Sequence, residues 1–286
     1  MTLLQRWGLY LLIMLSSLQL GKAEVRPDIE YGRVGDFSLR MDANIPNGKG
    51  PFPAVVIVHG GGWIGGSRDY NVEPLFRPLT QAGFAWFSIS YRLASELPLF
   101  GAAIDDVQEA VRYVKAHAKE YNIDPARMAL VGESAGAQLS SMAALTADRA
   151  ASVNAVVSFY NPSDLVTLVR TSTMIPQTIR QAVQGTPWAD LLLTRLRQLS
   201  PLTHVSADMP PFLLIHGTAD TLVPFEQSTK FCNTIHQAGG QCDLLEVKGA
   251  DHGIRRWEGS KDSTRYKQYM VDWLTSHIGE PHLARN

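Results

Sequence analysis

The pentapeptide Gly132-Glu133-Ser134-Ala135-Gly136 sets a serine between glycines, after the apolar run Met128–Val131 and before the small-residue stretch Ala137–Ala147. A strand, G-x-S-x-G and a helix in that order build a nucleophile elbow, with the serine in strained backbone geometry at a tight turn. A Cβ on either flanking glycine would collide with such a turn, and the helix N-terminus favours negative charge developing beside it. A bare G-x-S-x-G arises by chance in roughly one chain in eight, so alone it decides nothing. His59-Gly60-Gly61-Gly62-Trp63, directly after the apolar run Ala54–Val58, is a second signal. HGGG arises by chance in roughly one chain in 250. Consecutive glycines let backbone N–H groups approach a substrate oxygen, which is the chemistry of an oxyanion hole. The donors assigned are Gly61, Gly62 and Ala135; the competing reading is a glycine turn used only for packing.

A serine nucleophile needs a base, and the base needs an acid to orient it. His216-Gly217-Thr218-Ala219-Asp220 follows the apolar run Phe212–Ile215, and Gly249-Ala250-Asp251-His252-Gly253 follows the run ending at Val247. Ser134, Asp220 and His252 therefore each follow their own strand, in the chain order Ser, Asp, His. The other histidines fit the base role less well. His59 and His216 precede glycines at strand ends, His117 sits on a helix, and His277 and His282 lie in the tail. Asp251 competes for the acid role, but adjacent side chains diverge, so its carboxylate does not easily face the His252 ring.

Gly60, Gly62 and Gly65 also satisfy G-x-G-x-x-G after a strand, the dinucleotide pattern. Against an NAD-binding oxidoreductase, Ser67 to Asn71 do not open an apolar helix, and the next strand ends in Ser90-Tyr91-Arg92 without an acid for a ribose. A phosphate loop fails because Ser67 stands where lysine is required.

The elements that must position these residues follow from periodicity. Phe37, Leu39, Met41, Ala43 and Ile45 alternate with polar residues as a half-exposed strand. Ala54–Val58, Phe84–Ile89, Met128–Val131, Val153–Phe159, Phe212–Ile215 and Leu244–Val247 are nearly continuous apolar runs, as strands buried on both faces of a parallel sheet are. Ile104, Val107, Val111, Val114 and Ala118 form one helical stripe; Tyr266, Tyr269, Met270, Trp273 and Leu274 form another. For the last helix Asp262 or Ser263 is the expected cap, with Gly279 and Pro281 as stop signals. The expected fold is α/β: a mostly parallel, doubly wound sheet with antiparallel strands leading in. Residues 161–206, with Pro162, Pro176, Pro187 and Trp188, are too long for one connection and read as an inserted lid over the sheet's carboxyl edge.

Composition bounds the partners. The 286 residues carry 26 basic and 27 acidic side chains, leaving no electrostatic footprint for nucleic acid or an anionic membrane. The eight histidines and two cysteines show no metal-ligand spacing, and neither metal nor cofactor is expected. Arg6, the apolar run Trp7 to Leu15 and Gly21-Lys22-Ala23 read as a signal peptide over 1–23, cleaved before Glu24. Ser16, Ser17 and Gln19 interrupt the run short of the roughly 20 residues a span needs, so no stable membrane insertion is expected after cleavage. Residues 24–286 then form a single domain with a net charge of −3, secreted or periplasmic. In an oxidising compartment Cys232 and Cys242, on either side of Ala238-Gly239-Gly240, are a candidate disulfide; two buried free thiols are the alternative.

HGGGW, YRLA at 91–94, DD at 105–106, GESAG, HGTAD and DHG together resemble the carboxylesterase branch of the α/β hydrolases, in particular hormone-sensitive-lipase-like esterases and bacterial carbohydrate acetyl and feruloyl esterases. The resemblance runs from about Ile29 to Ile278. It implies the α/β-hydrolase fold, with catalytic Ser134, Asp220 and His252 and oxyanion donors Gly61, Gly62 and Ala135. With the fold expected to begin soon after residue 23, the long N-terminal helical cap of the lipase-like relatives is not expected, and HGTAD resembles the acetyl and feruloyl branch instead. The resemblance therefore implies a serine carboxylesterase acting through an acyl-enzyme on small, water-soluble esters, short-chain acyl or acetyl and feruloyl carbohydrate esters, and the signal segment makes it a secreted one. Trp63, Tyr160 and Trp188 are candidates to line the acyl pocket. An amidase or peptidase would use the same triad, and a non-catalytic binding protein on this fold is the remaining alternative.

Overall fold

The computed structural model describes residues 24–94, 101–172, 177–182, 189–259 and 261–279. The chain opens with an antiparallel hairpin, β1 Glu24–Val34 and β2 Phe37–Ile45. β3 Phe52–Val58, α1 Glu73–Gln81, β4 Ala85–Ile89, α2 Gly101–Ala116, β5 Ile123–Glu133 and α3 Ala135–Leu145 follow. β6 Ala155–Phe159 and β7 Phe212–Gly217 enclose α4 Leu165–Thr171, α5 Gln177–Ala182, α6 Ala189–Gln198 and the 3-10 turn Pro201–His204. The chain closes with α7 Glu226–Gln237, β8 Cys242–Val247, α8 Ile254–Trp257 and α9 Lys261–Ile278.

These strands form one eight-stranded sheet in the order β1-β2-β4-β3-β5-β6-β7-β8. β2 pairs antiparallel with β1 and β4, and every pairing from β4 onward is parallel. Every residue of β3 is buried, because alternate side chains enter two cores. Ala54, Val56 and Val58 pack with Val107 and Val111 of α2 and Leu139 of α3, whereas Val55 and Ile57 pack with Leu75 of α1 and Met270 and Leu274 of α9. Helices on both faces explain the unbroken apolar runs. Helix α3 is buried from Ala135 to Ala144, and its small side chains let it lie directly against the sheet.

Four details depart from the periodicity. The antiparallel lead-in is as expected, but periodicity does not locate β1: its charged residues and two register irregularities against β2 conceal the alternation. β8 is an edge strand, so its middle residues are only partly buried. Helix α9 starts at Lys261, which puts Asp262 and Ser263 inside the helix and not at its cap. Tyr269 is 40% exposed and lies off the buried stripe of Tyr266, Met270, Trp273 and Leu274.

The segment between β6 and β7 is closed at its stem. Leu202 N–H donates to Ser163 O at 3.0 Å, and Leu165 N–H donates to Ser200 Oγ at 3.0 Å. Gln227 of α7 accepts from Asp164 N–H at 2.7 Å and donates to Asp164 O at 3.1 Å, while Lys230 Nζ lies 2.7 Å from the Asp164 carboxylate. The disulfide Cys232–Cys242 ties α7 to β8 with Cα atoms 5.5 Å apart. Among the described residues no helix is long and apolar enough to cross a membrane. The expected signal segment, residues 1–23, and Trp188 lie outside the described residues.

Candidate active site

Loops leaving the carboxyl ends of β5, β7 and β8 bring together Ser134, Asp220 and His252. Ser134 has φ 55° and ψ −121°, a conformation that costs energy for a residue with a Cβ, and it immediately precedes α3. Its backbone N–H is held by Phe159 O at 3.0 Å. A Cβ at Gly132 would run into Gly136 O, and one at Gly136 into Val58 O, so both elbow positions admit only glycine.

His252 Nε2 lies 2.9 Å from Ser134 Oγ, and His252 Nδ1 lies 2.7 Å from Asp220 Oδ2. With Asp220 ionised, Nδ1–H donates to the carboxylate and Nε2 is left to accept the serine proton. The Asp220 side chain is fully buried. Its Oδ1 accepts from Leu222 N–H at 2.9 Å and Val223 N–H at 2.8 Å. Burial alone would raise this carboxyl, but the hydrogen bonds from His216 and His252 and the amide of Val223 outweigh it and hold it well below the usual carboxylate range. Asp251, the rival acid, turns outward to pair with Arg256 at 3.0 Å.

The glycine loop lies against this group. Gly61 and Gly62 have φ 117° and 61°, and Gly61 is exposed. Among the described residues no acceptor takes the amides of Gly61, Gly62 or Ala135, whereas Gly60 N–H donates to Glu133 Oε1 at 2.7 Å. The helix does not begin at the third glycine of the dinucleotide pattern; α1 starts at Glu73, and Gly66 folds back over Gly60 O so closely that a Cβ would overlap it.

Two expected pocket residues are buried. Tyr160 is 0% exposed, with its hydroxyl donating to Glu133 Oε2 at 2.9 Å and its ring against Trp257 and His252. Trp63 is 5% exposed, and its indole N–H donates to Gln138 Oε1 at 2.9 Å. Burial leaves Tyr160 no surface to offer a substrate and Trp63 very little, against the expectation that they line an acyl pocket. Ile64, 63% exposed, and Leu93, 44% exposed, stand on the loops after β3 and β4, whose backbones meet where Ala94 N–H donates to Trp63 O at 2.8 Å.

His59 and His216 make the structural hydrogen bonds to loop backbone that their places at strand ends suggest, whereas Tyr91, Arg92 and Asp106 carry no role in the sequence. Tyr91 hydroxyl donates to His59 O at 3.0 Å and its ring stacks on the His59 ring at 4.4 Å. Arg92 forks onto the buried Asp106 carboxylate at 2.7 and 2.9 Å, so the YRLA and DD motifs are two halves of one contact. His59 is buried and donates from Nδ1 to Gly60 O at 2.7 Å; burial, opposed by that bond, pushes its pKa down to about 4. His216 is also buried, between Ser228 Oγ at 2.7 Å and Val223 O at 2.9 Å. Among the described residues no group of three or more His, Cys, Asp or Glu is gathered to hold a metal ion.

A parallel sheet led in by antiparallel strands, with a serine elbow after β5 and the acid and histidine on later carboxyl-end loops, defines an α/β hydrolase. The chain belongs to the BD-FAE family, whose model matches residues 41–235, and its fold is that of an α/β hydrolase. It is 34% identical to a probable carboxylic ester hydrolase, LipM, of Mycobacterium tuberculosis over 88% of this chain and 62% of the relative. It is 31% identical to esterase LipC of the same organism over 74% of this chain and 55% of the relative. The chain thus spans less than two thirds of the length of these curated relatives. Among solved structures, the butyrate-bound esterase Est2 of Thermogutta terrifontis superposes with a TM-score of 0.74 at 26% identity, covering 93% of this chain and 97% of that one.

Proposed function

We propose that the protein is an exported serine carboxylesterase that hydrolyses small esters through an acyl-enzyme. The observation that carries this reading is the unbroken chain Asp220–His252–Ser134, at 2.7 and 2.9 Å, beside amides that find no acceptor among the described residues. Ser134 Oγ attacks the ester carbonyl while its proton passes to His252 Nε2, and Asp220 stabilises the imidazolium. The carbonyl oxygen takes up negative charge at the N–H groups of Gly61, Gly62 and Ala135, where each donor contributes about 3–4 kcal/mol to the transition state. Collapse breaks the carbon–oxygen bond, and the alcohol leaves with the His252 proton. Water, deprotonated by His252, then attacks the acyl-enzyme and regenerates Ser134.

The substrate reading is a short-chain acyl ester or an acetyl or feruloyl carbohydrate ester, chosen by pocket shape rather than long-range charge. Butyrate bound in the Thermogutta esterase supports a short acyl group, and Ile64 and Leu93 offer it an apolar rim. Export rests on residues 1–23, and the Cys232–Cys242 disulfide fits an oxidising compartment. The test is hydrolysis of p-nitrophenyl acetate, butyrate and octanoate, methyl ferulate and acetylated xylan, each beside its matching amide where one exists. Turnover of acetate or butyrate esters above the octanoate and above any amide supports the proposal. Faster turnover of the amide overturns it.

A further inference from the structure

The residue before the nucleophile has no part in the proton relay, yet its carboxyl touches both halves of the site. Glu133 is buried at the carboxyl end of β5. Its Oε1 accepts from Gly60 N–H at 2.7 Å, at the base of the glycine loop. Its Oε2 accepts from the Tyr160 hydroxyl at 2.9 Å, and that oxygen in turn accepts from Ile254 N–H at 2.9 Å. Ile254 opens α8 two residues after His252, and the Tyr160 ring lies 4.4 Å from the His252 ring. Gly60 comes so close that a Cβ there would overlap Glu133 Oε1, so the first glycine of the loop is explained by this carboxyl and not by an oxyanion.

We propose that Glu133 is a positioning residue, its single carboxyl fixing the oxyanion loop through Gly60 and the histidine loop through Tyr160 and Ile254. This rests on the esterase reading above. Both carboxyl oxygens act as acceptors, so the ionised group satisfies the network; burial pushes its pKa up, against the bonds from Tyr160 and Gly60. A mispositioned loop weakens interactions made in the transition state more than those made with bound substrate, so the effect belongs in kcat rather than KM.

The experiment compares wild type, Tyr160→Phe, Glu133→Gln and the double variant on p-nitrophenyl butyrate. Intact active sites are counted by exhaustive paraoxon titration, so that misfolded enzyme drops out of the rate. Tyr160→Phe keeps the packed ring and removes only the hydroxyl, and Glu133→Gln keeps the shape. The expected result is kcat per titrated site about tenfold lower in Tyr160→Phe and about 30-fold lower in Glu133→Gln, with KM within about twofold, from the usual worth of hydrogen bonds to a buried charge. Because both variants cut one network, the double variant falls less than about twofold below Glu133→Gln. Wild-type kcat per titrated site in either single variant would show a purely structural role and overturn the proposal. Full additivity in the double variant would also overturn it, since the two residues would then act separately. If wild type neither titrates nor hydrolyses, it is the esterase reading that fails.

Discussion

Replacing Asp220 by Asn separates the orienting role of this residue from its packing role. The carboxylate has a division of labour: Oδ1 accepts from the amides of Leu222 and Val223 at 2.9 and 2.8 Å, and Oδ2 faces His252 Nδ1 at 2.7 Å. In the Asn side chain the carbonyl oxygen takes the Oδ1 place, because two N–H donors point there. The NH2 group must then face His252 Nδ1, which has to give up its proton and accept. The imidazole proton moves to Nε2 and points at Ser134 Oγ, 2.9 Å away, so the ring no longer accepts the serine proton. Loss of the working tautomer costs about ten-thousandfold in kcat, or about 5 kcal/mol of barrier. The turn at Leu222 and Val223 keeps both its hydrogen bonds, but the attraction of the buried carboxylate for His216 and His252 is lost with the charge, so the melting temperature should fall as well. The assay is steady-state hydrolysis of p-nitrophenyl butyrate with the melting temperature measured in parallel, and Asp251→Asn as the companion variant. The Asp251 carboxylate pairs with Arg256, and the hydrogen bonds of the His252 ring go to Asp220 and Ser134 instead, so its loss should cost less than about threefold. A decline of under tenfold in Asp220→Asn, or a larger loss in Asp251→Asn, would refute the assignment of the acid.

Two further outcomes follow from buried groups. His59 holds a pKa of about 4 in the folded chain against an ordinary 6.5, so the unfolded chain takes up the proton first as pH falls. Its contribution to stability is therefore complete above pH 6.5 and lost as pH falls toward 4, a decline of about 3 kcal/mol by linkage; urea unfolding at several pH values, referenced to His59→Gln, reads that difference, and parallel curves would contradict it. The Cys232–Cys242 disulfide closes a loop with a sequence separation of 10. Opening it in Cys232→Ala/Cys242→Ala should cost about 2–3 kcal/mol in urea unfolding, and an unchanged midpoint would show that the disulfide adds nothing.

The chemistry-bearing residues were legible because each stands in a local pattern that the chain cannot use otherwise: a strained elbow needs Gly132 and Gly136, and a loop after a buried strand delivers Asp220 and His252. The buried strands were legible for the same reason, since β3 and its neighbours have no exposed face to interrupt their apolar runs. β1 was not, because an edge strand with charged residues and two irregularities has no readable period. Tyr160 and Trp63 misled in an instructive way. Aromatic residues next to catalytic loops look like pocket walls in one dimension, but the direction of each side chain depends on partners far along the chain. Gln138 lies 75 residues from Trp63, and Ile254 lies 94 from Tyr160. The supporting carboxyl of Glu133 was hidden by the same rule, although GESAG placed an acid where a buried charge would need donors. That mismatch between a charged residue and a buried elbow was the one available signal.

The central claim is that Ser134 becomes covalently acylated during turnover. The direct measurement is paraoxon inactivation followed by peptide mass mapping, run beside Ser134→Ala. The expected result is one diethylphosphoryl group per chain, on Ser134, appearing in step with complete loss of p-nitrophenyl butyrate hydrolysis, with neither label nor activity in Ser134→Ala. Full activity in Ser134→Ala, or inactivation with the label on another residue, would contradict it.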